Sequence, residues 1–198
     1  YTGAVARFDT GRPGPTTAFR SDIDCVLVRE TGDPKHLPNQ LGFASERPGF
    51  MHACGHDGHT AVGLGVAHWL VDNKDRLCGK FILIFQPAEE GVRGARAMAA
   101  SGMVDHVDYF LGGHVGGAAK LGEIAVMDGG FLASTKFDIT IEGTPAHAGN
   151  SPELGHSALM AACAASLMLQ GIPRNSHGET RVSVGKLEAG EGRNVIPA

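Results

Sequence analysis

Phe81-Ile82-Leu83-Ile84-Phe85-Gln86-Pro87-Ala88-Glu89-Glu90-Gly91 is the stretch on which the fold turns. Its first five residues are apolar without a break, too few for a helix and too continuous for a strand with one wet face. Such a run reads as a buried, parallel strand under crossover helices. Pro87 and Gly91 punctuate its end, and two adjacent carboxylates, Glu89 and Glu90, come just past it. In an open α/β sheet that is the edge where ligands bind.

Working outward, the flanking segments repeat the arrangement. Thr16 to Ile23 reads as a strand and carries Arg20, Asp22 and Asp24 at its end. Ala61 to Asn73 has apolar residues at helical spacing: Val62, Val66, Trp69 and Leu70. Residues 92–101 predict a short helix stopped by Gly102. Tyr109 to Gly112 is a further short strand, followed by Gly113 and His114. Strand, helix, strand, helix, strand implies an α/β, doubly wound domain. Glu30 to Phe50, rich in Pro, Gly and charge, reads as a loop.

After Asp128-Gly129-Gly130 the texture changes, following a last short apolar segment, Ile124 to Met127, that could add a strand. Lys136 to Glu142 and Thr180 to Lys186 alternate as half-exposed antiparallel strands do. Ser157 to Gln170 is an apolar helix between them. The expected organisation is a doubly wound α/β domain over 1–130 and a smaller α+β domain over 131–198. Another strand begins around Asn194, so the smaller domain reads as unfinished.

The 198 residues are 42% hydrophobic, enough for a packed core, and the formal charge of -4 offers no basic surface for nucleic acid. No apolar run reaches membrane-spanning length. Four cysteines, at 25, 54, 78 and 163, form no Cys-x-x-Cys pair and point to a reducing, cytoplasmic setting. Cys25, Cys78 and Cys163 have apolar neighbours and read as buried thiols.

Cys54 differs. It lies in Met51-His52-Ala53-Cys54-Gly55-His56-Asp57-Gly58-His59-Thr60, which packs one thiol, three imidazoles and a carboxylate into ten residues. Thiolate, imidazole and carboxylate together suit zinc or a neighbouring first-row ion and not an all-oxygen calcium cage. Of the paired carboxylates, one can bind metal while the other moves a proton. Asp57 either orients a histidine or caps the following helix, and His59 is set aside as structural. Cys54 as a nucleophile with a histidine base is a rival reading.

Four motifs occur in order: Met-His-Ala-Cys-Gly-His-Asp (51–57), Phe-Gln-Pro-Ala-Glu-Glu-Gly (85–91), Gly-His-Val (113–115) and Gly-Thr-Pro-Ala-His-Ala-Gly (143–149). Together they resemble the amidohydrolase branch of the aminoacylase/carboxypeptidase metallopeptidases, along essentially the whole chain. The resemblance implies two divalent metal ions, Mn2+ or Zn2+. Cys54 would be shared between them, with His56, Glu90 and His114 as further ligands. Glu89 would be the general base acting on the bridging water. His147, on the lid, would help polarise the scissile carbonyl, and Asn194 would bind substrate. Asp22 and Asp24 would line the site, Asp22 standing where other branches carry histidine.

The implied reaction is hydrolysis of the amide bond of an N-acyl or N-aroyl amino acid, p-aminobenzoyl-glutamate being the leading candidate. The implied assembly is a homodimer or heterodimer through the lid. The resemblance makes 1–130 the metal-binding catalytic domain and 131–198 the lid or dimerisation domain, both partial, because family members are longer and supply one more histidine ligand. The 198-residue chain is therefore expected to be impaired as a catalyst, and the alternative is a metal-binding subunit that is not itself catalytic.

Overall fold

In the computed structural model, which describes residues 2–91, 93–116, 119–127 and 133–198, the apolar run forms the strand Lys80–Gln86 inside a four-stranded sheet. In chain order the elements around it are β1 (Ala4–Asp9), β2 (Thr16–Asp22), α1 (Leu37–Leu41), α2 (His56–Asp72), β3 (Lys80–Gln86), α3 (Gly94–Ala100) and β4 (Tyr109–Gly112). The spatial order is β1-β3-β2-β4. Strand β2 is parallel to both β3 and β4, with Asp22 opposite Gln86 and Arg20 opposite Gly112. Strand β1 closes the other side antiparallel to β3, so the sheet is mixed. The central run is thus parallel on one side only.

The two faces of β3 meet different helices. Ile82 and Ile84 lie against Ala18 and against Met98 of α3, with Val5, Val104 and Val107 around them. Burying each large side chain there contributes about 1.5–3 kcal/mol. Phe85 and its neighbour Ser21 face the other way, under Gly63 of α2. The two crossover helices therefore leave β2 and β3 toward opposite faces, which opens a crevice between the loops after those strands.

Helix α2 starts at His56, five residues before the expected start at Ala61. Its buried residues are His56, His59, Gly63 and Leu70, a single face by their spacing. Of the apolar face expected from Val62, Val66, Trp69 and Leu70, Leu70 is buried and Val66 partly so, while Val62 and Trp69 are half exposed. Gly63 explains the difference. A Cβ there would sit 2.6 Å from Ser21 Oγ, so only glycine lets the helix come this close to the sheet. Asp57 is not the cap, because the N-cap is Gly55 at φ 86°; it lies in the first turn, where a carboxylate complements the helix dipole.

The chain divides into two compact units, Tyr1–Val126 and Met127–Ala198. The expected boundary at 128–130 and the expected helix start at Val92 lie outside the described residues. In the second unit β5 (Ala146–His147) pairs antiparallel with β6 (Val195–Ile196). Helix α4 (Ala158–Gln170) is capped by Ser157, whose hydroxyl accepts the Met160 N–H.

Three expected strands are absent. Ile124 to Met127, Lys136 to Glu142 and Thr180 to Lys186 carry no strand, and Phe137 and Ile139 are exposed. Alternation marks a strand only when a neighbour completes the ladder, and among the described residues none does so there. Two other expectations also fail. Cys25 and Cys78 are exposed and Cys163 half-buried, because their segments run along the surface. The 30–50 loop contains the short helix α1, started by Pro38 and ended by Gly42 at φ 74°. Among the described residues no helix is long and apolar enough to cross a membrane.

Candidate metal centre

The C-terminal ends of β2, β3 and β4 lie on one edge of the sheet, because the three strands are parallel. They deliver Asp22 and Asp24, Glu89 and Glu90, and His114. The start of α2 delivers Cys54 and His56 to the same place.

His56 is at the centre. It is fully buried, and its Nδ1 lies 2.8 Å from the backbone carbonyl of Asp24. A carbonyl only accepts, so Nδ1 carries the proton and Nε2 holds a lone pair. That Nε2 has no hydrogen-bond partner. It lies 3.8 Å from Asp22 Oδ2 and 3.9 Å from both Glu89 Oε2 and Glu90 Oε1. Glu89 and Glu90, with Asp22 beside them paired to Arg20, surround a buried, unpartnered lone pair with net negative charge, a hole suited to a cation.

Asp24 shapes the carboxylate loop. Its Oδ1 accepts the Glu89 N–H at 3.0 Å and its Oδ2 the Glu90 N–H at 3.1 Å. The loop needs this anchor, since Ala88 is held at φ 53°, where non-glycine residues are uncommon. Asp22 ends β2 fully buried, ion-paired to Arg20 at 2.7 Å and hydrogen-bonded to His59. Burial alone would raise its pKa. The hydrogen bond from His59 and the charge of Arg20 outweigh that, and the carboxyl is held below its ordinary value.

Cys54 Sγ lies 3.5 Å from His114 Nε2. His114 donates Nδ1–H to the Val115 carbonyl at 2.6 Å, so its Nε2 lone pair also faces inward. Burial pushes the Cys54 thiol up to about 11, with the hydrogen bond to Glu90 and the charges of Glu90, Glu89 and Asp22 adding to it. A thiol so shifted holds almost no thiolate at neutral pH, which counts against a free cysteine nucleophile. A cation in the site would offset the same carboxylates and draw the proton off.

The donor set fits a metal. Cys54, His56 and His114 offer atoms within 4.8 Å of one another, and so do His56, Glu89 and Glu90, the two trios sharing His56. A third trio, Asp22, His56 and His59, meets the same distance.

His147 and Asn194 lie in the second unit. The β5–β6 ladder sets His147 opposite Val195, and Asn194 accepts the Ala148 N–H at 3.0 Å through its backbone carbonyl. His147 Nδ1 accepts N–H groups from Gly149 and Asn150, both at 3.1 Å, which leaves Nε2 protonated and exposed as a donor. Asp22, Asp24 and His59 are more deeply built into the first unit's centre than motif reading indicated. Asp22 and Asp24 were signalled by their strand end and by the family resemblance, His59 only by its place at a helix start.

Comparison with known proteins gives a consistent result. The sequence model of Peptidase family M20/M25/M40 matches residues 18–184. A homolog of one p-aminobenzoyl-glutamate hydrolase subunit, from Haemophilus influenzae, is 56% identical over all of this chain and 47% of its own length. The indole-3-acetyl-aspartic acid hydrolase of Enterobacter agglomerans is 54% identical, over all of this chain and 45% of its own length. A solved Bacillus subtilis structure, a dinuclear metal binding peptidase from the M20 family, superposes with a TM-score of 0.52. It is 41% identical and covers 57% of this chain and 30% of its own. The chain thus spans less than half the length of both relatives.

Proposed function

We propose a function from one premise: the chain belongs to peptidase family M20/M25/M40. It carries the greater part of a dinuclear metal centre that hydrolyses the amide bond of an N-acyl or N-aroyl amino acid. The names of its relatives make p-aminobenzoyl-glutamate the first substrate to assay. The observation that carries this reading is the buried, unpartnered Nε2 of His56 facing Glu89 and Glu90. We read the first unit as a doubly wound domain, because its crossover helices pack on opposite faces of the sheet.

In this reading His56, Glu90, Cys54 and His114 hold two divalent metal ions, Mn2+ or Zn2+. When bound, these ions supply Lewis acidity to the amide carbonyl and to water. Glu89 stands 3.9 Å from His56 Nε2 with its side chain 41% exposed, so it reaches both the centre and solvent. It takes a proton from water and passes it to the leaving amine. The protonated Nε2 of His147, exposed on the second unit, is the donor offered to a partner's site for the charge that develops on the carbonyl oxygen, and Asn194 beside it is assigned to substrate binding. We further propose that the second unit forms the dimer contact, supported by exposed Met160, Leu167 and Met168 on α4, in a reducing cytoplasm that keeps its four cysteines free.

The test is Glu89→Gln in the intact protein. Release of free amino acid falls by a factor of at least about 100, the low end for losing a general base, while both metals stay bound. Retained turnover overturns the assignment of Glu89. Absent turnover in a wild-type protein that binds two metals points to the non-catalytic alternative.

A further inference from the structure

His59 was set aside on sequence, yet both of its ring nitrogens are engaged at the centre. It is buried in the first turn of α2, one turn beyond His56. Its Nδ1 meets Asp22 Oδ1, and a carboxylate at that contact makes Nδ1 the donor. Its Nε2 then carries the lone pair and accepts the Val115 N–H at 2.8 Å. Val115 directly follows His114, and its carbonyl fixes the His114 tautomer. Val115 also covers Gly55, where a Cβ would lie 2.4 Å from Val115 Cγ2. The His59 and His114 rings meet edge to face, with centroids 4.4 Å apart.

We propose that His59 is a positioning residue, an imidazole strut from Asp22 to Val115 that holds the loop after β4 so that His114 reaches Cys54. This rests on the metal reading above. It differs from the other role the distances allow, that His59 is itself a ligand beside Asp22 and His56. Ligation would need the Nε2 lone pair that the Val115 N–H already occupies. It would also bring a cation next to Arg20, which already neutralises Asp22.

Asparagine and glutamine separate the two ends of the strut. In His59→Asn the amide reproduces the Nδ1 donor toward Asp22 and has nothing at Nε2. In His59→Gln the amide oxygen takes the Nε2 position. The probe is cobalt(II) added to the metal-free intact protein, read by the thiolate-to-cobalt absorption of Cys54. Hydrogen exchange at the Val115 amide, without metal, reads the strut directly. For His59→Asn the strut predicts faster Val115 exchange and half-saturation at about 10–100-fold higher cobalt, the usual effect of removing a ligand's outer partner. The same number of metals binds at saturation. His59→Gln moves both readings back toward wild type.

Unchanged exchange and unchanged cobalt affinity in His59→Asn overturn the proposal. One fewer metal at saturation also overturns it, since His59 is then a ligand. If His59→Asn does not fold, His59→Gln decides by the same two readings, wild-type protection with full stoichiometry being the supporting result. A wild-type protein that takes up no cobalt sinks the metal reading itself, and the exchange measurement still decides the strut.

Discussion

His56 donates its Nδ1–H to the backbone carbonyl of Asp24 at 2.8 Å. The bond settles the tautomer and turns the other nitrogen toward Glu89 and Glu90. His56→Asn retains a donor at the Nδ1 position and removes Nε2. The variant is expected to fold with nearly wild-type thermal stability without metal, and to bind fewer metals than wild type at saturation. Metal analysis after gel filtration reads this. Full stoichiometry would remove His56 from the ligand set.

Asp24 holds two successive backbone amides with one carboxylate, which fixes where both glutamates point. Asp24→Ala is expected to weaken metal binding and to lower kcat/KM by about 10–100-fold. Asp24→Asn, which keeps one acceptor oxygen, falls between. Equal behaviour of the two variants would show that the paired amide contact is not what matters.

Two glycines of α2, Gly63 and Gly65, two residues apart and so on opposite faces of the helix, make an internal control for packing. Gly63→Ala puts a methyl 2.6 Å from Ser21 Oγ and 3.0 Å from the Phe85 ring, and is expected to destabilise by about 1–3 kcal/mol in urea unfolding. Gly65→Ala meets nothing within 4 Å and is expected to stabilise by up to about 1 kcal/mol, alanine being the better helix former.

Glu30 clips the 30–47 loop. Its carboxylate accepts the Ser45 N–H and pairs with His36, and these hold its pKa below the ordinary 4.5. A depressed carboxylate pKa stabilises above the unfolded value, and the contribution is lost as pH falls through the folded one. The Ser45 amide resonance should therefore titrate with a midpoint below 4.5 and stop doing so in Glu30→Gln. A midpoint at or above 4.5 would contradict the clip.

The central strand and its carboxylates were legible because five consecutive apolar residues and a Pro-x-Glu-Glu end leave few readings. Cys54, His56, Glu89, Glu90 and His114 were legible as candidates because each falls where the predicted sheet puts its ligand edge, and the structure brings them together. What was not legible depends on partners distant in sequence. Residues 136–142 and 180–186 alternate, but alternation does not supply a neighbouring strand. The buried face of α2 is set by Gly63 and two histidines as well as by Leu70, and leaves Val62 and Trp69 half exposed, since close approach outweighs hydrophobicity there. His59 reads as merely structural in the sequence because nothing there shows that residue 115 folds back over residue 55.

Of the four proposed ligands only Cys54 and His56 are near neighbours in the chain; Glu90 and His114 arrive from tens of residues away, carried by two separate strand ends. An unfolded chain therefore presents at most a two-atom chelate, and the full set exists only after the parallel ladder has closed. Metal should thus act late on the folding path. Its signature is slower unfolding, with a refolding rate nearly indifferent to the ion, so the centre works as a latch on the finished sheet and not as a seed for it.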